Sequence, residues 1–340
     1  MNTFGEQLKL SIFGESHGNG IGIVIDGLPP GLAVDETFIE SEMARRAPGN
    51  DRLSTPRKEP DHVEIVSGVF NGFTTGAPLC GMIRNTNTRS NDYTPELPRP
   101  GHADLTAHLK YNGYEDYRGG GHFSGRLTAP LVFAGALCKS LLKRNDILVS
   151  AKITEIAGVQ GQGLTEAMEE AILHAKAEGD SVGGIIEACA ENLPVGLGSP
   201  FFGSVESRLA SMLYSIPAVK GVEFGDGFAL AKMRGSIAND PIIRSGSNYR
   251  TSTNHNGGIN GGITNGMDLV FRVAIKPTPS ISKPQETINL LTGEPTQFQV
   301  HGRHDPCIVP RAVCVIEAAA AIVLTDLLLC QWPDGVRKDR

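Results

Sequence analysis

The sequence predicts an α+β fold, a layered β-α-β sandwich with an internal duplication, in which mostly antiparallel sheets surround central helices. Three observations support this prediction. Strand-like apolar runs recur between turn signals, among them "IGIVIDG" (21–27), "VGGIIEACA" (182–190) and "DLVFRVAI" (268–275). Two long segments are apolar nearly all round, which is typical of buried helices. One stretch of the first half also matches a stretch of the second half.

Two amphipathic helices are predicted from capping residues and apolar spacing. Asp35 can cap a helix that runs through Arg46 and is ended by "APG". Thr165–Glu178 is acidic at its start and apolar at every fourth position from Ala167, and Gly179 ends it. Both segments are expected to lie on the surface of the fold with one face buried.

Two central helices are predicted at Thr128–Lys143 and Pro310–Leu329, the second interrupted by Glu317 and Asp326. The longest apolar run, near Ala318–Cys330, is shorter than a bilayer span requires. We therefore expect both helices in the core and no membrane segment.

The internal repeat is carried by residues 68–90, which align without a gap on residues 258–280. The identical pairs are Gly68/Gly258, Gly72/Gly262, Thr74/Thr264, Gly76/Gly266, Leu79/Leu269, Thr88/Thr278 and Ser90/Ser280. Upstream, "GLPPGL" (27–32) and "NLPVGL" (192–197) each follow a strand-like run. The predicted repeat covers about 10–90 and 182–280; a chance match of small residues is the alternative. Because no Pro- or Ser-rich linker separates the halves, residues 1–340 are expected to form one domain.

Composition limits the classes of function. A net charge of −6 argues against a general nucleic-acid binder. The N-terminus lacks a basic start followed by an apolar core, and the six cysteines show no Cys-x-x-Cys spacing. These features predict a cytoplasmic protein with reduced thiols.

Arginine and glycine are unevenly distributed. Glycine makes up about 12% of the chain against a usual value of roughly 7%, and it clusters in segments such as "YRGGGHFSG". Such runs let backbone approach a ligand closely. Arginines gather in three segments, at Arg45, Arg46 and Arg52, at Arg118 and Arg126, and at Arg303 and Arg311. In an acidic chain this predicts a local pocket for a small polyanion, with surface solubility as the alternative.

The stretch "HGRHDPC" (301–307) raises the hypothesis of a metal site. His301, His304, Asp305 and Cys307 are residue types that transition metals prefer, which would suit a metal-dependent hydrolase. Ligand spacing alone is weak support for a metal centre. A non-catalytic flavin or nucleotide-binding module is the third class considered.

Two loop histidines are further candidates for chemistry. His17 lies between glycines in "GESHGNG", and His102 lies in "RPGHAD" with Arg99 and Asp104 beside it. A loop histidine taken alone is more often a solvated polar residue than a catalytic one.

The order of the motifs points to one family. The segments "FGESHGNGIGIVIDGLPPG", "RPGHADLTAHLKYNGYEDYRGGGHFSGR", "NGGINGGITNG", "KPTPSI" and "GRHDPCIVPRAVCVIEA" follow one another as they do in the chorismate synthases. The chain resembles this family from about Phe4 to Asp326, and "RPGHAD" followed by "YRGGG" and "GRHDPC" is close to diagnostic.

This resemblance implies an anti-1,4-elimination of phosphate from 5-enolpyruvylshikimate 3-phosphate to give chorismate, the last common step of aromatic amino acid biosynthesis. The family requires reduced FMN although the reaction has no net redox change, and some members reduce the flavin with NADPH while others depend on a separate flavin reductase. A homotetramer is implied by analogy. No metal, nucleic acid or membrane partner is expected.

The family pattern also implies roles for individual residues. His17, with Ser16 beside it, protonates the leaving phosphate; His102 lies near flavin N1; Asp305 lies near N5 and assists removal of the C6 proton. The implied flavin contacts are His122, Phe123, Ser124, Pro217, Ala218, Gly261, Lys276, Pro277, Thr278, Pro279, Ser280 and Arg303. The implied substrate or NADP contacts are Arg46, Arg52, Arg118 and Arg126.

The chain departs from the family pattern in the segment "GGGHFSGRLT". Many members have an arginine, a serine and a glutamate where this chain has His122, Phe123 and Leu127. One fixed positive charge near the flavin is therefore replaced by an imidazole. This departure bears on cofactor and substrate binding and leaves the implied reaction unchanged.

Overall fold

Two five-stranded antiparallel sheets form the outer layers of the fold. The computed structural model describes residues 2–49, 53, 61–86, 94–246, 248–300 and 305–337. The first sheet has the order β1-β2-β3-β7-β4 and consists of β1 (Thr3–Phe4), β2 (Lys9–Gly14), β3 (Gly20–Asp26), β4 (Val63–Ser67) and β7 (Leu79–Arg84). The second has the order β11-β16-β10-β8-β9 and consists of β8 (Leu148–Ile156), β9 (Val159–Gln160), β10 (Gly184–Glu191), β11 (Val219–Phe224) and β16 (Leu269–Ile275).

Four small hairpins complete the strands. They pair β5 (Val69–Phe70) with β6 (Phe73–Thr74), β12 (Ile242–Ser245) with β13 (Asn248–Thr251), β14 (Ile259–Asn260) with β15 (Ile263–Thr264) and β17 (Gln285–Ile288) with β18 (Pro295–Phe298). All of these pairs are antiparallel, as the sequence predicts.

Each helix predicted from the sequence is present. The helices are α1 (Glu36–Arg46), α2 (Asp104–Tyr111), α3 (Thr128–Lys143), α4 (Glu166–Ala177), α5 (Val205–Ser215), α6 (Gly235–Ala238) and α7 (Val309–Gln331). Asp35 caps α1 by accepting a hydrogen bond from the Phe38 N–H at 3.0 Å, and the Thr165 side chain caps α4 in the same way. The predicted boundaries of the four helices are correct to within two residues.

Helices α3 and α7 lie between the sheets and produce the β-α-β layering. Helix α3 packs against β3 and β7, α7 packs against β8 and β10, and the two helices pack against each other. The helices approach closely because Gly135 faces Ala318, where an added Cβ would lie 2.2 Å from the alanine methyl carbon. The observed architecture confirms the predicted α+β fold class.

The apolar helix α7 carries two buried acids, and each has partners that offset the cost of its burial. Glu317 accepts hydrogen bonds from Arg45, Lys139 and the Ala151 N–H. Asp326, 1% exposed, accepts from the backbone N–H groups of residues 6, 7 and 8 and pairs with Arg208. Glu317 therefore fastens α7 to α1, α3 and β8, and Asp326 fastens it to α5 and the segment before β2.

By length and composition, two helical stretches could cross a membrane, Arg118–Lys143 and Val309–Gln331. The prediction that no apolar segment is long enough was wrong on this point, because α7 extends beyond the run considered. In each stretch 83% of the most apolar window is buried inside the protein. Such burial is what the core helices of a water-soluble protein have.

The two halves contain the same hydrogen-bonded arrangement around a buried threonine. Thr74 Oγ1 donates to the Pro29 carbonyl at 2.6 Å and accepts from the Leu32 N–H at 2.9 Å. Thr264 Oγ1 donates to the Pro194 carbonyl at 2.6 Å and accepts from the Leu197 N–H at 2.9 Å. Backbone bonds to Gly31 and Gly196 match as well. We call these two arrangements the threonine frames.

Candidate active site

A turn of three glycines separates the two candidate histidines. Gly119, Gly120 and Gly121 all have positive φ. A Cβ atom on Gly119 would lie 2.5 Å from the His17 ring and from Ser16 Oγ, and one on Gly120 would lie 3.0 Å from the His102 ring. Glycine is therefore required here for two reasons, the backbone conformation and the close approach of an imidazole on either side.

His17 is held through its loop. Ser16, 1% exposed, donates from its backbone N–H to the Gly121 carbonyl and from Oγ to the Gly119 carbonyl, both at 3.1 Å. Across the loop, Asn85 Nδ2 donates to the carbonyls of Glu15 and Gly18, each at 2.9 Å. Asn85 follows the last residue of β7, so the first sheet clamps the turn that carries His17.

Asn85 is itself part of a buried charge network. Its Oδ1 accepts from Arg126 Nε at 2.6 Å, and Arg126 Nη1 donates to Asp61 at 2.7 Å. The other oxygen of Asp61 pairs with Arg46. Burial raises the pKa of Asp61, but the charges of Arg46 and Arg126 outweigh burial and hold the pKa below its ordinary value. Two buried guanidinium groups therefore share this carboxylate.

His102 is held by side chains. Its Nδ1 lies 2.5 Å from Asp104 Oδ1, and Asp104 accepts two side-chain hydrogen bonds from Arg99, at 2.7 and 2.8 Å. Arg99 Nη1 donates to Ser280 Oγ at 3.1 Å. Lys276 Nζ donates to the Gly101 carbonyl at 2.5 Å, which joins the His102 loop to the segment that follows β16.

Asp305 lies beside the same segment. Its backbone carbonyl accepts from Thr278 Oγ1 at 2.9 Å, and its carboxylate pairs with Arg311 at 2.5 Å. Arg311 Nε donates to the Arg46 carbonyl at 2.9 Å. A continuous chain of polar contacts therefore runs from Asp305 to the network that clamps the His17 loop.

Several predicted flavin contacts come together here. Lys276, Pro277, Thr278, Pro279 and Ser280 form the segment just described, and Lys276 N–H donates to the Ala218 carbonyl at 2.9 Å, which brings Pro217 and Ala218 to it. Burial lowers the pKa of Lys276, and the charge of Lys220 lowers it further. A neighbouring cavity is lined by His102, Tyr117, Gly120, Phe123 and Phe298.

The residues that depart from the family pattern have local partners. His122 Nδ1 lies 2.8 Å from the Gly14 carbonyl, to which it donates, and Nε2 lies 3.1 Å from Asn2 Oδ1. Phe123 is 36% exposed and its ring centroid is 6.2 Å from that of Tyr111. The Ser124 side chain accepts from the Arg126 N–H at 3.3 Å. His122 thus fastens the glycine turn to β2 and the N-terminus in this structure.

Among the predicted anion contacts, Arg118 differs from Arg46 and Arg126. Its side chain is 42% exposed and forms two hydrogen bonds with Asp116, at 2.7 and 2.9 Å. These bonds lower the pKa of Asp116. By contrast, Arg46 and Arg126 are about 5% exposed and face Asp61.

One predicted residue, Gly261, is not brought to this cluster. Gly261 lies in the β14–β15 turn next to Gly262, which contacts Ser204 at the opposite end of the second sheet. Seven residues of β16 separate the two ends, a distance of about 20 Å. Arg52 and Arg303 lie outside the described residues, as do His301 and His304.

Within the described ranges, no group of three or more His, Cys, Asp or Glu side chains could hold a metal ion. Cys307 is 3% exposed, and burial raises its pKa to about 12, so it is a thiol at neutral pH. A metal would need the thiolate form. The geometry at Asp305 and Cys307 therefore does not favour the hydrolase hypothesis.

Sequence reasoning missed Asp61 and Asn85 as parts of the site. Nothing local in the sequence indicates that either residue contacts Arg126. The internal repeat gave one indication of where Asn85 lies. Its alignment pairs Asn85, at the end of β7, with Ile275, which ends β16 and precedes Lys276.

The arrangement can bind an anion and transfer protons on two sides of one backbone turn. Imidazoles at His17 and His102 and the carboxylate of Asp305 are groups suited to acid–base chemistry. The glycine turn, the half-exposed Phe123 and the Lys276 ammonium fit a planar anionic cofactor, because they combine close backbone approach, aromatic surface and positive charge.

Comparisons with known proteins agree on one family. The family model for chorismate synthase matches residues 8–329. A chorismate synthase of Chitinophaga pinensis is 51% identical over 335 residues, covering 97% of each chain, and one of Thermococcus kodakarensis is 47% identical, covering 98% of this chain and 99% of the relative. A crystal structure of chorismate synthase superposes with a TM-score of 0.76 at 32% identity, covering 96% of this chain and 93% of the other.

Proposed function

This chain belongs to the chorismate synthase family, and on that premise we propose how its own residues carry out the reaction. The enzyme is a carbon–oxygen lyase that eliminates phosphate from 5-enolpyruvylshikimate 3-phosphate to give chorismate. The family requires a reduced flavin, and we propose that the flavin is FMN. The observation that carries this proposal is the glycine turn, with His17 and Ser16 on one side and His102 on the other.

The substrate carries two carboxylates and a phosphate, which need positive charge. Arg118, half exposed at the site, can contact an anion directly. Arg46 and Arg126 are buried against Asp61, so we assign them an indirect part, in which their positive charge favours anion binding. By the family pattern, Arg52 is a contact for substrate or NADPH.

We assign protonation of the leaving phosphate to His17, with Ser16 fixing the loop. A proton delivered to the phosphate oxygen makes it a better leaving group, which is general acid catalysis. The clamp by Asn85 keeps the imidazole in place during this step. When bound, the reduced flavin supplies electron density as the C–O bond breaks, and no net redox change results.

Asp305 assists removal of the C6 proton in this proposal. Its ion pair with Arg311 fixes the position of the carboxylate, and the Thr278 bond fixes its backbone. The alternative is that Asp305 only forms a structural ion pair with Arg311. Replacing the carboxylate by an amide distinguishes this role from proton removal. By the family pattern, His102 would lie near flavin N1 and would stabilise the negative charge of the reduced cofactor.

The flavin contacts proposed from the family pattern form two groups. His122, Phe123 and Ser124 follow the glycine turn, while Pro217, Ala218 and residues 276–280 lie on the other side of the His102 loop. Arg303 completes the set by the family pattern. Gly261 reaches the same flavin if a neighbouring copy of the chain supplies it, which fits the homotetramer proposed from the family.

We further propose a cytoplasmic enzyme in which residues 1–340 form one domain built by internal duplication. The matching threonine frames support duplication, since a chance match of small residues does not require the same hydrogen bonds. A single hydrophobic core that includes residues of both halves supports one domain. The source of reducing equivalents is either NADPH, used directly, or a separate flavin reductase.

Anaerobic assays test the proposed cofactor. With dithionite-reduced FMN, the purified protein should release phosphate from the substrate and form chorismate at a rate that EDTA does not change. Loss of turnover in EDTA that added zinc restores would instead support the hydrolase, and binding of FMN without phosphate release would support the passive module. Turnover with NADPH and FMN alone would show that the enzyme reduces its own flavin.

A further inference from the structure

The carboxylate of Asp104 is the closest neighbour of the His102 imidazole. Asp104 begins helix α2, two residues beyond His102, and its side chain is 19% exposed. The turn between them is closed by a bond from the His102 N–H to the Arg99 carbonyl at 3.2 Å. Through this turn, Asp104 Oδ1 reaches His102 Nδ1 at 2.5 Å.

Asp104 is held as an anion. It accepts hydrogen bonds from the backbone N–H, Nε and Nη2 of Arg99, at 3.0, 2.7 and 2.8 Å. Burial raises the pKa of Asp104, but the bonds from Arg99 and His102 outweigh burial and hold the pKa well below its ordinary range. A carboxylate has no proton to donate, so it is an acceptor for His102.

The proton between the two groups therefore belongs to Nδ1. A bare Nδ1 lone pair at 2.5 Å from a carboxylate oxygen would be repulsive, whereas an Nδ1–H forms a charge-assisted hydrogen bond. Arg99 Nη2 also lies 3.0 Å from Nδ1. Nη2 has two hydrogens and donates one to Asp104 at 2.8 Å; donating the other to Nδ1 would leave the Nδ1 lone pair against the Asp104 oxygen, so the 2.5 Å contact favours a proton on Nδ1.

The opposite ring nitrogen faces the glycine turn. A Cβ on Gly120 would lie 3.2 Å from His102 Nε2, and His102 and Gly120 line the same cavity. Within the part of the chain that the structure describes, Nε2 has no hydrogen-bond partner. This nitrogen is therefore the one that can exchange a proton with a ligand in the cavity.

We propose that Asp104, clamped by Arg99, is a positioning residue that keeps a proton on His102 Nδ1 and presents Nε2 to the flavin. The inference rests on the proposed flavin site at His102. It deepens that proposal, because it specifies which nitrogen of the imidazole acts and what holds it. The hydrogen bond from Arg99 to Ser280 connects the Arg99–Asp104 pair to residues 276–280, the segment that also binds the Asp305 backbone.

The test is the tautomer of His102 in flavin-free protein labelled with ¹⁵N-histidine. Long-range ¹H–¹⁵N correlation spectra distinguish a protonated from an unprotonated Nδ1, and His102→Gln identifies the signal. We expect a protonated Nδ1 in the wild type. In Asp104→Asn, Arg99 can donate to Nδ1, so the proton should move to Nε2. Asp116→Asn is the matched control, since it removes another arginine-paired carboxylate near the turn and should leave the His102 signals unchanged.

Turnover provides the second readout. Asp104→Asn should lower kcat by roughly 10²-fold, with KM for the substrate nearly unchanged, and Asp104→Glu should recover part of the loss. An unprotonated Nδ1 in the wild type overturns the proposal even if Asp104→Asn does not fold. An unchanged kcat in Asp104→Asn also overturns it. Because the tautomer is read without flavin, failure there is distinguishable from failure of the proposed cofactor site.

Discussion

The two halves of the molecule are alike at one end of their sheets and different at the other. At the far ends, Thr74 and Thr264 make the same hydrogen bonds to within 0.1 Å. At the opposite ends, which we call the site ends, Asn85 follows β7, whereas Lys276 follows β16. Asn85 clamps the His17 loop, and the segment from Lys276 braces His102 and Asp305.

This difference shows how two halves with the same threonine frame can support different groups at their site ends. The far ends satisfy buried backbone groups, a need that both halves share. In the proposed mechanism the site ends support different chemistry: protonation of the leaving group on the first half and flavin and proton contacts on the second. Changes at the site ends should therefore alter catalysis, and changes at the far ends should alter stability.

The largest effect is expected at the site end of the second half. Asp305→Asn keeps the shape and hydrogen bonding of the side chain but removes its basicity. Turnover should fall by roughly 10²–10⁴-fold, with substrate binding nearly intact, in steady-state assays with reduced FMN. Near-normal turnover would make Asp305 only the ion-pair partner of Arg311.

The first half should respond differently to the same kind of change. His17→Ala removes the proposed acid, so a substrate analogue with a better leaving group than phosphate should restore part of its turnover. The same analogue should not rescue Asp305→Asn, because proton removal is still impaired. Equal rescue of both variants would contradict the division of tasks between the halves.

Asp61→Asn tests the charge network behind the His17 loop. It leaves Arg46 and Arg126 buried without their anion, which should cost about 3–5 kcal/mol of unfolding free energy. Glu64→Gln is the matched control, since Glu64 and Arg84 are more than half exposed and 3.5 Å apart; it should cost less than about 1 kcal/mol. Denaturant titrations measure both. Similar losses in the two variants would mean that the Asp61 network is not a strong support.

The pH dependence of stability follows from the same carboxylate. The folded pKa of Asp61 is below its ordinary value of about 3.9. Its contribution is therefore fully present above the unfolded pKa and is lost as the pH falls through the folded pKa. Wild-type stability should lose this contribution below about pH 4, and Asp61→Asn should lack that part of the decline. Parallel curves of stability against pH for the wild type and Asp61→Asn would contradict a lowered pKa for Asp61.

The smallest effects should come from the far ends. Thr74→Val and Thr264→Val preserve side-chain shape but leave a buried N–H, of Leu32 or Leu197, without its partner. Each should cost roughly 1–3 kcal/mol in thermal or denaturant unfolding, with turnover per folded enzyme unchanged. A much larger cost in one half, or a loss of turnover, would show that the two frames are not equivalent.

Much of the fold could be predicted because its signals are local. The cap at Asp35, the apolar faces of α3 and α7 and the strand runs are readable from neighbouring residues. The order of strands within each sheet was not predictable, because pairing joins residues far apart in sequence. The apolar run near Ala318–Cys330 covers only the second half of α7, so it was a poor measure of how long the apolar helix is.

The candidate site was predicted less completely. The motifs indicated His17, His102 and Asp305. The structure places the two histidines on either side of the glycine turn and connects Asp305 to Thr278 and Arg311. The sequence did not reveal that Arg46 and Arg126 share Asp61, because these partners stand 15 and 65 residues from it. Such contacts depend on tertiary packing, so a local motif does not show which residues are partners.

The most direct test of the account is the number of chorismate molecules formed per reducing equivalent supplied. The enzyme, FMN and substrate are mixed anaerobically, a limited amount of dithionite is added, and chorismate and phosphate are measured together. Because the flavin lends electron density and recovers it, many turnovers should follow each reduction, with equal amounts of the two products. One reducing equivalent consumed per chorismate, or equal activity with oxidised FMN, would contradict the account.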